Sequence, residues 1–187
     1  MAQELRSMVE KETAVRGVVG VGVVLLLLAA GESGWGAEKP RGPLMPGQPA
    51  PAFRVPDPDG RMISLQDYQG RPVIINFWAT WCGPCRQEMV VLQAAYEAHK
   101  AAGLAILGVS QDQQDRIETV RAYWAALGLT FLLLLDPDGS VAVLYSVLFL
   151  PSTVFVHPSG AVVAVHFGPM TQTQMEQHLK AILPQPG

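Results

Sequence analysis

Phe77-Trp78-Ala79-Thr80-Trp81-Cys82-Gly83-Pro84-Cys85 is the stretch on which the reading of this chain turns. The chain holds 2 cysteines in 187 residues, and both are here. A loop that short is a poor structural staple, because the stabilisation from a cross-link falls with the length of chain it closes. The pair therefore reads as reactive. An apolar run, Val73 to Phe77, leads into it, and beyond Cys85 the residues Met89, Leu92 and Tyr96 recur at helical spacing. A strand thus ends, and a helix begins, at the cysteines. The first turn of a helix carries unpaired N–H groups and a partial positive charge, which favour thiolate over thiol on Cys82. Cys82 is then the nucleophile, and Cys85, one turn further in, resolves the mixed disulfide that results. Pro84 is tolerated because a first-turn residue has no N–H bond to lose. Trp81 and Trp78 could shield the pair, although core or rim packing explains Trp78 equally well.

Further out, the pattern alternates between strand and helix. Phe53-Arg54-Val55 and Arg61-Met62-Ile63-Ser64 flank the turn Asp57-Pro58-Asp59-Gly60 and predict a hairpin. Leu104 to Val109 and Phe131 to Leu135 are short apolar runs expected as strands covered on both faces. A helical stripe, Ile117, Val120, Trp124 and Leu127, separates them. Thr153 to Val156 and Ala161 to Phe167 predict a second hairpin, and a capping box from Thr171 to Gln174 opens a last helix with Met175, Leu179 and Ile182 on one face. The fold class is α/β, with parallel central strands and an antiparallel edge.

The chain before the domain is of another kind. Residues 1–16 mix Arg6, Lys11 and Arg16 with Glu4, Glu10 and Glu12, and Gly17 to Gly31 is uncharged. As a helix, 17–31 would reach about 22 Å, short of the ~30 Å hydrocarbon core and on the boundary between signal peptide and anchor. Arg16 abuts this run, so the N-terminus is expected to stay inside the cell and the rest to lie outside, whether or not the run is cleaved after Ala29 and Gly31. An uncleaved anchor is favoured by the long leading segment of mixed charge. Residues 32–52, with prolines at 40, 43, 46, 49 and 51, read as an extended spacer, and 53–187 as the catalytic domain. A formal net charge of -3 with no dense basic block argues against nucleic acid as a partner.

The motif quoted first, together with Gly47-Gln48-Pro49-Ala50-Pro51-Ala52-Phe53 and Leu150-Pro151-Ser152-Thr153, resembles the TlpA/ResA group of thioredoxin-like proteins from about Gly47 to about Leu183. The resemblance implies a thioredoxin fold with an N-terminal β-hairpin and a strand-helix insertion, its central mixed sheet flanked by helices. It implies a membrane-tethered, extracytoplasmic reductant of client protein disulfides, such as those of apocytochrome c, recharged by a membrane electron donor of the thiol-carrier type. Carried over by position, Pro151 matches a cis-proline facing the cysteines, and Leu150 the residue whose backbone meets the client. Trp81, Gly83 and Pro84 complete the expected client surface. Glu88 matches an acidic residue that could exchange a proton with the thiols; a solvated glutamate in the company of Arg86 and Lys100 explains it equally well. Where thioredoxins carry a buried Asp on the strand before the motif, this chain has Asn76, which cannot take up a proton at ordinary pH. The Gly-Pro pair between the cysteines is that of thioredoxin, whose potential of about -270 mV belongs to a reductant.

Other chemistries leave weaker marks. No metal or other cofactor is expected: zinc would want a second cysteine pair, and the histidines at 99, 157, 166 and 178 lack ligand spacing. Copper delivery on this fold would need a distant histidine, for which His157 and His166 qualify only by lying on strands. A peroxiredoxin would need Pro and Thr where Ile75 and Ala79 stand. A scaffold that only docks partners has no use for a reactive pair.

Overall fold

Two short strands, β1 (Arg54–Pro56) and β2 (Met62–Ser64), form the antiparallel hairpin expected around Asp57–Gly60. Asp57 is buried in the turn, where it accepts from the N–H groups of Asp59 and Arg61 and from the Arg61 Nε at 2.8 Å. The molecule is described by a computed structural model covering residues 42–113 and 116–184. The segments 1–16 and 17–31, on which the anchor expectation rests, lie outside the described residues. Among the described residues no helix is long and apolar enough to cross a membrane.

Five strands make the central sheet, in the order β5-β4-β3-β6-β7. They are β3 (Val73–Trp78), β4 (Ala105–Ser110), β5 (Leu132–Leu135), β6 (Ser152–Val156) and β7 (Val162–Phe167). β3, β4 and β5 run parallel, while β6 and β7 are antiparallel to their neighbours. Strands β3 and β4 are buried along their whole length, which is why their sequences are apolar without alternating. The period of two still sorts their side chains. Ile74 and Trp78 face the helices α1 (Gly83–His99), α2 (Ile117–Ala126) and α4 (Gln172–Ile182), while Val73, Ile75 and Phe77 face a second core of Phe53, Val55, Leu65, Val141 and Tyr145. Gly108 in mid-β4 is needed by this packing, since a Cβ there would lie 2.5 Å from the ring of Trp124.

One feature departs from the sequence reading. The end of the proline-rich stretch is built into the fold rather than left as a spacer: the Gly47 N–H donates to the Val162 carbonyl, Val162 N–H to Gln48 O, and Ala50 N–H to Gly160 O, at 2.8 to 2.9 Å. Leu44 and Ala50 are buried. Helix α3 (Ser140–Leu144) follows β5, as the strand-helix insertion implied by the resemblance requires. Its leading N–H groups at Val141 and Ala142 are taken by the two carboxylate oxygens of Asp136, at 3.0 and 2.9 Å. β5 and α3 form the strand-helix unit inserted before β6.

Candidate active site

β3 delivers the chain to the site and α1 carries it away. After Trp78 the backbone turns through Ala79, Thr80 and Trp81, and the Cys82 N–H closes the turn on the Ala79 carbonyl at 3.1 Å. Cys82 is the N-cap of α1: it holds an extended conformation, and its Sγ accepts from the Cys85 N–H at 3.3 Å. A sulfur here does what a Ser or Asp oxygen does at other helix starts, so a thiolate at Cys82 gains both a donor and the helix dipole. Pro84 sits in the first turn, and Cys82 and Cys85 are joined as a disulfide. Both sulfur-bearing residues are nearly buried, whereas Gly83 and Pro84 are exposed beside Trp81, which is 66% exposed. Trp78 is wholly buried, stacked on Tyr123 at 5.7 Å and tilted against Trp124 at 5.2 Å. Of the two tryptophans, Trp81 forms the rim and Trp78 the core.

Behind the cysteines lies a buried polar network. Glu88 stands one turn after Cys85 on α1 and is 1% exposed, so the solvated-surface explanation of it fails. Asn76 on β3 donates from Nδ2 to Glu88 Oε2 at 2.8 Å and to Thr153 Oγ1 at 2.9 Å, and Thr153 in turn donates to Glu88 Oε1 at 3.2 Å. Asn76 and Thr153 are direct partners across β3 and β6, which is why one carboxylate reaches both. Burial pushes the Glu88 carboxyl up from its ordinary 4.5 to about 7; the bonds from Asn76 and Thr153 pull the other way without overcoming it. A carboxyl poised near neutrality can hold or release a proton as thiols cycle. The oxygen of the amide, Asn76 Oδ1, is buried and has no hydrogen-bond partner among the described residues. Thr153 is the functional candidate that the sequence hides, since only the β3–β6 register puts its hydroxyl on Glu88.

The Leu150–Pro151 peptide bond is cis. Ser152, which follows it, pairs with Phe77 at the end of β3, so this turn lies beside the strand end that feeds the cysteine loop. The Ser152 hydroxyl donates to the Phe149 carbonyl at 2.7 Å, and the Gly168 N–H to the Pro151 carbonyl at 2.9 Å, holding the turn from both sides. Leu148 and Phe149 project from it into solvent, Phe149 leaning on Phe167 at 5.2 Å. The two histidines weighed for copper lie apart from each other in the hydrogen-bonding pattern. His157 Nδ1 is used within its own turn by Ser159, and His166 packs edge-on to His178 at 5.6 Å. Among the described residues no three His, Cys, Asp or Glu side chains gather as a metal site.

The chain is similar to known proteins in sequence and in fold. The AhpC/TSA family matches residues 46–165. The thioredoxin-like protein YneN of Bacillus subtilis is 37% identical over 161 residues, 83% of this chain and 94% of the relative. The thiol-disulfide oxidoreductase ResA of Bacillus cereus is 32% identical over 166 residues, 87% of this chain and 95% of the relative. Among solved structures, the thioredoxin domain of a thiol-disulfide oxidoreductase from Bacteroides vulgatus superposes with a TM-score of 0.66 at 28% identity, covering 74% of this chain and 99% of that one. StoA of Bacillus subtilis superposes with a TM-score of 0.58 at 28% identity, covering 71% and 98%.

Proposed function

We propose, from the premise that this chain belongs to the AhpC/TSA family and is a thioredoxin-fold thiol-disulfide oxidoreductase, that it reduces client protein disulfides outside the cytoplasm, with Cys82 as nucleophile and Cys85 as resolving thiol. In the reduced protein the Cys82 thiolate attacks one sulfur of a client disulfide. A Cys82–client mixed disulfide forms and the first client thiolate leaves. Cys85 then gives up its proton, with Glu88 as the acceptor, and attacks Cys82 Sγ; the second client thiolate leaves and takes up a proton. Two electrons have passed to the client, and the chain is left as the Cys82–Cys85 disulfide. A dithiol carrier in the membrane returns the two electrons.

The observation that carries this reading is the Cys85 N–H aimed at Cys82 Sγ at the start of α1, with a proton-holding carboxyl one turn behind it. Gly83 and Pro84 between the cysteines favour the reducing direction. The exposed Trp81, Gly83 and Pro84, with Leu150 and the cis Pro151, supply the surface on which an extended client strand would lie. The uncharged run 17–31 supports a tether that leaves the domain outside, where the cysteine pair of an apocytochrome c is a client of the right chemistry.

Trapping tests it. In the Cys85→Ser chain the mixed disulfide cannot be resolved, so a client should remain bound through Cys82 until dithiothreitol releases it, and Cys82→Ser should abolish turnover. Turnover of a model disulfide surviving in Cys82→Ser would sink the assignment.

A further inference from the structure

Asp112 lies just beyond the end of β4, 32 residues from the cysteine loop in sequence, and its side chain is fully buried. Its two oxygens are spent on that loop. Oδ2 accepts the Thr80 backbone N–H at 2.9 Å and Oδ1 the Thr80 hydroxyl at 2.6 Å. Ser110 Oγ adds a donor to Oδ2 at 3.0 Å, and the Arg116 Nε stands 3.7 Å from Oδ1. One residue earlier, the Gln111 N–H donates to the Trp78 carbonyl at 2.8 Å. The strand end 110–112 therefore grips the cysteine loop at Trp78 and at Thr80. What lies between Thr80 and α1 is only Trp81 and Cys82, and the Cys82 N–H is bonded back to Ala79, inside the gripped segment.

A carboxylate serving only its own turn would need Ser110 alone. Taking both donors of Thr80 orders a residue two positions from the nucleophile in a segment that has no helix or strand bonds of its own. Charge-assisted bonds of this kind are short and directional, which suits a task of orientation. The geometry points to Asp112 and Thr80 as positioning residues for exchange: the clamp between them fixes the approach of Cys82 to the first turn of α1, and with it the reactivity of that thiol. The inference rests on Cys82 as the attacking thiol, but its test reads Cys82 directly and stands apart from client trapping.

In the full chain carrying Cys85→Ser, Cys82 is the single thiol, and its rate of alkylation by iodoacetamide across pH reports thiolate fraction and access. Thr80→Val removes the hydroxyl donor at a half-buried position without changing charge. It should raise the pH midpoint of alkylation toward that of a free thiol, about 8.5, and by the loss of thiolate slow the reaction at pH 7 about tenfold. Thr80→Ser keeps both donors and should hold the parent rate. Asp112→Asn breaks the clamp from the other side, so adding Thr80→Val to it should cost little more, a non-additivity that cancels the effect of the lost charge. Thr80→Val at the parent midpoint and rate overturns the proposal, as does full additivity with Asp112→Asn. Should Asp112→Asn fail to fold, the contrast between Thr80→Val and Thr80→Ser decides alone.

Discussion

A carboxyl held at about 7 inside an apolar core has two consequences at Glu88. The first concerns turnover. With the proposed proton acceptor replaced by an amide, Glu88→Gln should slow the resolving step by at least ~10²-fold near neutral pH, the lower end of what general acid-base groups contribute. Release of the first client thiol should be little affected. Stopped-flow reduction of a model disulfide separates the two steps, and an unchanged resolving rate would remove Glu88 from the proton path. The second concerns stability. Because the folded carboxyl binds its proton more tightly than the unfolded one, its contribution is fully present below about 4.5 and is lost as pH rises through about 7, on the order of 3 kcal/mol at most. Thermal melting of the parent should therefore fall across that window, and Glu88→Gln should flatten the fall. The spacing of Glu88 from Cys85 is legible in the sequence, but its burial is not. Its partners Asn76 and Thr153 stand 12 and 65 positions away, and only strand register brings them together.

At the scale of elements, periodicity finds the long pieces and misses those made by backbone alone. The apolar stripe of α1 and the capping box of α4 are written in side chains, and both helices form where these predict. Strand ends shift by a residue, as β4 does from an expected 104–109 to Ala105–Ser110, because hydrogen-bond partners rather than hydropathy set the boundary. The seam at Gly47 to Ala50 leaves no side-chain pattern, since its bonds are main chain to main chain. Helix α3, at 5 residues, is too short to show a period and relies on the Asp136 carboxylate for its start. Close packing between elements makes its own prediction. Trp124 is wedged against Phe131 at 4.8 Å and Trp78 at 5.2 Å, so it has little room to yield to a methyl group at position 108. Gly108→Ala should destabilise the fold by about 1–3 kcal/mol, as overpacking does, read from urea unfolding of the oxidised protein. A loss under a few tenths of a kcal/mol would mean that the aromatic cluster is looser than its contacts suggest.

For the whole molecule, the oxidoreductase activity and the direction of electron flow come from different sources. The order β5-β4-β3-β6-β7 places the end of β3, the start of α1 and the cis Leu150–Pro151 turn together, and the cysteine motif with its flanking residues makes that arrangement legible in advance. Direction is a balance between the stabilities of the dithiol and the disulfide, summed over Cys82, its helix and the buried carboxyl behind it, and no single residue spells it out. The proposed reductant requires that this balance favour giving electrons to clients. Its most direct test is the redox midpoint of the purified full chain, equilibrated at pH 7 against glutathione and dithiothreitol buffers and read by trapping free thiols. A reductant of clients should show a midpoint well below about -220 mV, in the range of thioredoxin-like reductants. A midpoint near -120 mV, roughly that of a strong oxidant, would contradict it and make the protein a donor of disulfides.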